Sequence, residues 1–232
     1  MSSPNFQQLA NFIWSVADLL RGPYRPPQYE RVMLPLTVLR RFDAVLAPTK
    51  EHVLARFATL QGKEPQLIDR LLNEVAKDEN GTPLGFHNHS KLDFYKLKAD
   101  PDNIGQHLIT YIKGFSENIQ RIFERFNFDQ EIEKLEEANR LYQVVAQFAE
   151  IDLHPSRVDN ITMGLVFEDL SRRFNESAGD HFTPREVIRL MVNLLLEPDT
   201  HVLTQQGIIA TICDSACGSV DFRSNRRSCP AK

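Results

Sequence analysis

Apolar residues recur every three or four positions through most of the first 175 residues, and that spacing suits helices far better than strands. Phe6, Leu9, Phe12, Ile13, Val16 and Leu20 share one face of a first helix, with Ser3 as its cap, Pro4 at its first position and Gly22-Pro23 as its stop. Beyond Pro26-Pro27, the residues Val32, Met33, Leu36, Leu39, Phe42 and Leu46 predict a second long helix. Pro35 predicts a kink or early turn within it, and Pro48 a break. Helices follow over about 50–60 and about 65–78, the latter stopping at Asn80-Gly81. Residues 82–100 have little helical period and read as an extended loop with one or two short strands. Asp100-Pro101 opens a helix through about Phe126, striped with Ile104, Leu108, Ile112, Phe115, Ile119 and Ile122. From Glu131 to Ile151 the stripe is Ile132, Leu135, Ala138, Leu141, Val145 and Phe148, with Glu136 and Arg140 as a surface pair. Ser156 to Asp159 has the form of a capping box ahead of a helix from Ile161 to Phe174. These stripes are packing faces, so residues 1–155 are expected to form a helical domain without catalytic chemistry.

The formal charge of −4 argues against a surface that binds nucleic acid throughout, and any DNA contact must be local or shared with partners. Arg21, Arg25, Arg31, Arg40 and Arg41 form one basic concentration, offset by Glu30 and Asp43. It reads either as a solvated helix face or as a contact to a DNA backbone or partner. No apolar run approaches the ~20 residues of a membrane span, and the opening residues lack the form of a secretory signal. The expectation is a cytoplasmic chain without membrane contact. Cys213, Cys217 and Cys229 are too few and too clustered for a disulfide framework, and no second ligand pair completes a zinc site with the first two. His87-Asn88-His89 with Asp93 is the other conceivable metal cluster, but histidines of a surface loop explain it better, so no metal site is expected.

Chemistry enters after Asn175. Gly179-Asp180-His181-Phe182-Thr183-Pro184-Arg185-Glu186 runs from a loop into a helix start, with Thr183 as cap, Pro184 at the first helical position and Glu186 completing a capping box. Val187, Ile188, Met191, Leu194 and Leu195 supply that helix's buried face. Gly207 to Ile212 is a β-branched run suited to a buried strand, and it leads into Cys213-Asp214-Ser215-Ala216-Cys217-Gly218-Ser219. A strand ending in an acidic residue, then small residues and glycine, lets a ligand approach the strand's carboxyl end.

Together these two segments resemble the modification (M) subunit of bacterial type I restriction–modification systems, the S-adenosylmethionine-dependent adenine-N6 DNA methyltransferases. The Leu-Arg-Arg-Phe-Asp stretch at 39–43 and the helical opening resemble the same family, so the likeness spans residues 5–219. It implies a mainly α chain: a helical N-terminal domain (1–155), then the first helix and strand of an α/β methyltransferase domain (156–219) that is not completed. It also implies that Phe182, Thr183 and Pro184 close over S-adenosylmethionine, flanked by Asp180, His181 and Arg185. Asp214, Ala216 and Gly218 match the first cofactor motif. The implied partners are DNA, a specificity (S) subunit, a restriction (R) subunit and a second M subunit.

Two departures stand out. Ser215 replaces the family's proline, and Val220 to Lys232 replace its Gly-Gly-Phe continuation. Val220-Asp221-Phe222 is encoded by GTN-GAY-TTY, and one added upstream G lets the same bases read Gly-Gly-Phe when N is G and Y is T, so a single-base frameshift is the expected origin of residues 220–232. The family's catalytic Asn/Asp-Pro-Pro-aromatic sequence is also absent, and Arg25-Pro26-Pro27-Gln28-Tyr29 is no substitute, since arginine only donates. No catalytic residue is therefore assigned, and the chain is expected to be inactive alone. The alternative is a non-catalytic helical module for subunit assembly or DNA contact.

Overall fold

The computed structural model describes residues 6–178 and 185–197. The chain divides into two compact units between Phe182 and Thr183. In the first, the opening stripe forms α1 (Phe6–Ser15) and α2 (Ala17–Leu20), separated at Val16. There, Val16 N–H donates to Ile13 O at 3.1 Å and Leu19 N–H to Val16 O at 2.9 Å. These three-residue spans tighten the turn between the two helices. The Ser3 cap and Pro4 lie outside the described residues.

Helix α3 (Glu30–Leu46) runs unbroken through Pro35, so of the kink or early turn expected there the early turn is not formed. Proline removes one backbone bond, but Val32, Met33, Leu36 and Leu39 are fully buried around it, and their burial outweighs that loss. Next come α4 (Lys50–Thr59) and α5 (Pro65–Val75), which pack on each other. Helix α5 stops three residues short of its expected end. Asp78 turns the chain there, its Oδ1 accepting from the N–H groups of Asn80 at 2.9 Å and Thr82 at 2.8 Å.

Three expected segments prove to be broken differently. Between 82 and 100 the described chain has isolated bridges in place of strands, and it contains a helix, α6 (Phe94–Ala99). Asp93 caps α6 by accepting from Lys96 N–H at 2.8 Å. Only Phe94 and Leu97 are buried in it, too few to show a period. The expected helix of 101–126 is two, α7 (Ile104–Lys113) and α8 (Glu117–Arg125). The expected helix of 131–151 is also two, α9 (Phe128–Glu137) and α10 (Leu141–Ala149). Asn127, at the α8–α9 joint, and Asn139, at the α9–α10 joint, adopt left-handed φ values of 49° and 53°, a conformation asparagine tolerates. The second joint also separates Glu136 from Arg140, whose guanidinium donates to Gln143 Oε1 at 3.1 Å. The surface pair expected between them is not formed.

The α7–α8 break has a specific cause. Residues 87–90 cross the chain there, with His89 N–H donating to Gly114 O at 2.9 Å and Ser116 N–H to His87 O at 3.1 Å. A Cβ on Gly114 would lie 2.6 Å from Ser90 Cβ and 2.9 Å from the Ser90 backbone nitrogen. Gly114→Ala should therefore destabilise the chain by about 1–3 kcal/mol, measured by urea denaturation. An unchanged midpoint would show that this crossing has slack.

Helix α11 (Asn160–Ala178) completes the first unit and packs along α1. Its cap is Asp159, which accepts from Thr162 N–H at 2.6 Å, in place of the expected Ser156. In the second unit, α12 (Arg185–Leu196) is the described helix. Its Val187, Ile188, Met191 and Leu194 are exposed where a buried face was expected. A stripe buries only against another element, and no other element of that unit is among the described residues. Thr183 and the strand expected at 207–212 lie outside them.

Candidate functional site

The Leu39-Arg40-Arg41-Phe42-Asp43 stretch on α3 forms a buried polar joint. Arg40 Nε donates to Ile151 O at 2.8 Å, and its Nη1 pairs with Asp43 Oδ2 at 2.8 Å. The same guanidinium lies 5.5 Å from the Phe94 ring centroid, within cation–π range. Arg41 donates to Leu153 O, to Val158 O at 2.7 Å and to Asn160 Oδ1 at 2.9 Å. Two adjacent arginines thus bind the chain that leads into α11. Neither is part of a solvated face or free for DNA, which corrects the sequence reading of these two positions. Arg21, Arg25 and Arg31 do remain exposed.

Electrostatics around the joint follow burial. Asp43 is 7% exposed, and desolvation pushes its carboxyl up, against the Tyr111 hydroxyl bond at 2.6 Å and the nearby charges of Arg40 and Lys50. Burial likewise lowers the ammonium of Lys50, which donates to Leu92 O, and the guanidinium of Arg41. Chemically, the arrangement satisfies backbone carbonyls of the segment that leads into α11. It is a structural joint.

Helix α11 is held at its far end too. Trp14 of α1 packs against Phe174 with ring centroids 5.4 Å apart. Arg173 donates to Asn11 Oδ1 at 2.6 Å and pairs with Asp169 at 2.7 Å. Beyond α11, the sequence-assigned residues Asp180, His181, Phe182, Thr183, Pro184, Asp214, Ala216 and Gly218 lie outside the described residues. Arg185 is described as the first residue of α12. The joint itself went unread as a site, although its paired arginines inside an apolar stripe were a visible signal.

Clefts open on the helical unit among the described residues. One of about 490 Å³ is lined by Arg41, Phe42, Lys77, Glu79 and His154 among others. A second of about 450 Å³ has Arg40, Lys50, Glu51 and Asp93 in its wall. The third, of about 380 Å³, contains His87 and His89. His87 is 2% exposed, not the surface-loop residue expected, and its Nδ1–H donates to Asn73 Oδ1 at 2.9 Å. Asp93 is engaged in capping α6. Among the described residues, no group of three or more His, Cys, Asp or Glu is arranged to hold a metal ion. Nor is any helix among them long and apolar enough to cross a membrane.

Burial, with a smaller push from His89, lowers the His87 imidazole to about 4. The unfolded chain binds this proton more readily, so the stability it reflects is complete above about pH 6.5 and is lost as pH falls toward about 4. The expected contribution is about 3 kcal/mol. Urea titrations at pH 7.5 and pH 4.5 should show a larger acid loss in the parent chain than in His87→Gln. Equal losses would refute the assignment.

Comparison with known proteins places these elements. Residues 9–148 match the HsdM N-terminal domain family, a stretch that runs from α1 to α10. Residues 159–225 match the N-6 DNA methylase family. No curated protein matches the chain. The second match begins one residue before α11, so that helix lies within the methylase match while it packs on the helical unit. With more than half of its residues inside the first match and the second following directly, the chain belongs to the HsdM family, the M subunits of type I restriction–modification systems.

Proposed function

We propose that this chain serves in S-adenosylmethionine-dependent methylation of adenine N6 in DNA, as the M component of a complex with a specificity subunit. The tandem of the two family matches carries this reading, because Phe182-Thr183-Pro184-Arg185 and Asp214-Ser215-Ala216-Cys217-Gly218-Ser219 both fall in the second. In this reading residues 1–155 form the assembly domain and 156–219 the opening of the methyltransferase domain. Phe182, Thr183 and Pro184, flanked by Asp180, His181 and Arg185, close over the cofactor, while Asp214, Ala216 and Gly218 meet its methionine part. DNA, the S and R subunits and a second M subunit are the partners, and the cytoplasm is the compartment. The acidic balance of −4 is compatible with delegating base readout to another chain.

Adenine N6 is a poor nucleophile because its lone pair is delocalised into the ring. Enzymes of this class orient its amino group with an Asn or Asp oxygen and a proline carbonyl, and stack an aromatic on the flipped base. The 232 residues contain no such sequence. These 232 residues therefore hold the helical module and part of the proposed cofactor surface, and the base-orienting groups are not among them.

Cofactor affinity tests the claim that these residues form only part of the cofactor site. Isothermal titration with S-adenosylmethionine should give a dissociation constant weaker than ~10 μM, which is about −7 kcal/mol, because the Gly-Gly turn after Ser219 is absent. Tighter binding would contradict it. The frameshift proposed for residues 220–232 is checked by sequencing the gene beyond that point. An Asn-Pro-Pro-aromatic sequence in the shifted frame is the expected result, and its absence would end that explanation.

The second reading, a helical assembly module without chemistry of its own, is favoured by the self-contained core of the first unit. Co-purification with a specificity subunit in the absence of cofactor is its expected signature.

A further inference from the structure

The third cleft differs from its neighbours in charge. The other two mix cationic and anionic side chains in their walls. This one has Asp69 and Glu117 in its wall and no lysine or arginine. Burial lowers both of its imidazoles, so His87 and His89 are neutral at neutral pH and do not offset the carboxylates.

Hydrogen-bond capacity points the same way. Asp69 Oδ2 accepts from Asn73 Nδ2 at 3.0 Å, but its Oδ1 is 3.9 Å from His87 Nδ1, too far for a bond. Gln120 spends its amide donors on Lys113 O at 3.0 Å and Phe115 O at 2.6 Å, leaving its oxygen. His89 Nδ1 is buried without a hydrogen-bond partner. Glu117, tied on one side to Arg121, is 71% exposed. The cleft therefore holds unspent acceptors and few free donors. Its apolar walls are Phe57, Ile68 and Phe115, and Phe57 stacks on the His89 ring with centroids 4.3 Å apart.

A donor-rich cation with a flat, weakly hydrated face fits such a site better than an ammonium. At about 380 Å³ the cleft lies near the lower limit of ligand pockets, the scale of one anchoring side chain. We propose that this cleft between α5 and α8 is a docking pocket for an arginine side chain presented by a partner protein. The guanidinium pairs with Asp69 Oδ1 at the rim and lies against the aromatic walls. This goes beyond the methyltransferase reading and does not depend on it.

The test is an NMR titration of the imidazole resonances of the full chain, labelled at histidine. The probe is N-acetyl-arginine amide, and the control is N-acetyl-citrulline amide, which keeps the shape and loses the charge. Saturable shifts at His87 and His89 are expected with the arginine probe, with affinity about tenfold weaker for citrulline. Asp69→Asn should weaken binding of the arginine probe by about tenfold, and Glu79→Gln, in the first cleft, should leave it unchanged. If Asp69→Asn fails to fold, Glu117→Gln carries the test, with a smaller but measurable weakening expected. Non-saturating shifts, an equal response to citrulline, or indifference to the carboxylate variants would overturn the proposal.

Discussion

Replacing Arg41 with methionine should cost about 3 kcal/mol of folding stability. Methionine fills much of the space of the arginine stem but donates nothing, so Leu153 O, Val158 O and Asn160 Oδ1 lose their shared partner. Hydrogen bonds from a charged donor contribute about 1.5–3 kcal/mol each, and water can re-solvate part of the exposed side of this joint. Removing the guanidinium also removes its own desolvation cost, which is what lowers its basicity. The net remains unfavourable because three acceptors are involved and one charge is relieved. Arg41→Lys should recover only part of the loss, since an ammonium cannot span the same fork of acceptors. Urea denaturation followed by circular dichroism measures the stability. Hydrogen exchange at residues 151–165 should quicken in Arg41→Met before the remainder of the helical unit responds. A loss below about 1 kcal/mol would show that the segment ahead of α11 is held by its apolar contacts alone.

Much of the helical architecture was legible because apolar period and burial coincide. Leu9, Ile13, Val16 and Leu20 are buried as the first stripe requires, and Ile104, Leu108, Ile112 and Ile119 likewise occupy the core despite the break between α7 and α8. The stripe survives such breaks because it records which face meets the core, whatever the axis does. The breaks themselves were not legible. Gly114 turns the chain because Ser90 crosses against it, a neighbour 24 positions earlier that no local pattern announces. Asn139 was a weaker omission, since asparagine's tolerance of left-handed backbone is local chemistry. Helix α6 was missed because six residues are too few to display a period, although Asp93 ahead of Phe94 had the form of a cap.

The arginines show where charge misleads. Arg40 and Arg41 count toward a basic cluster in the sequence, yet each finds carbonyl or carboxylate partners more than 100 positions away or one turn along α3. Spacing within α3 places them beside buried Leu39 and Ala44, which was the available warning. His87 misled in the same way, because a polar stretch around it suggested exposure while the Gly114 crossing buries it. The family, by contrast, was carried by two short sequences whose order and residue types survive without any knowledge of packing.

The largest expected effect concerns methyl transfer. Orienting the adenine amino group and stacking the flipped base are preorganised interactions, and the loss of one such group typically costs about 10²–10³ in rate. A chain with neither acceptor nor stacking aromatic should fall at least about 10⁴-fold below a complete enzyme. On the proposed reading, partner binding belongs to the helical unit and should persist. The most direct measurement is tritium-methyl transfer from S-adenosylmethionine to unmodified DNA in the presence of the specificity subunit. It compares the 232-residue chain with the product of the gene read on in the restored frame. The expected result is background counts for the first and robust, adenine-confined incorporation for the second. Comparable incorporation by the 232-residue chain would mean that N6 is activated by residues other than the missing sequence, and would contradict the account.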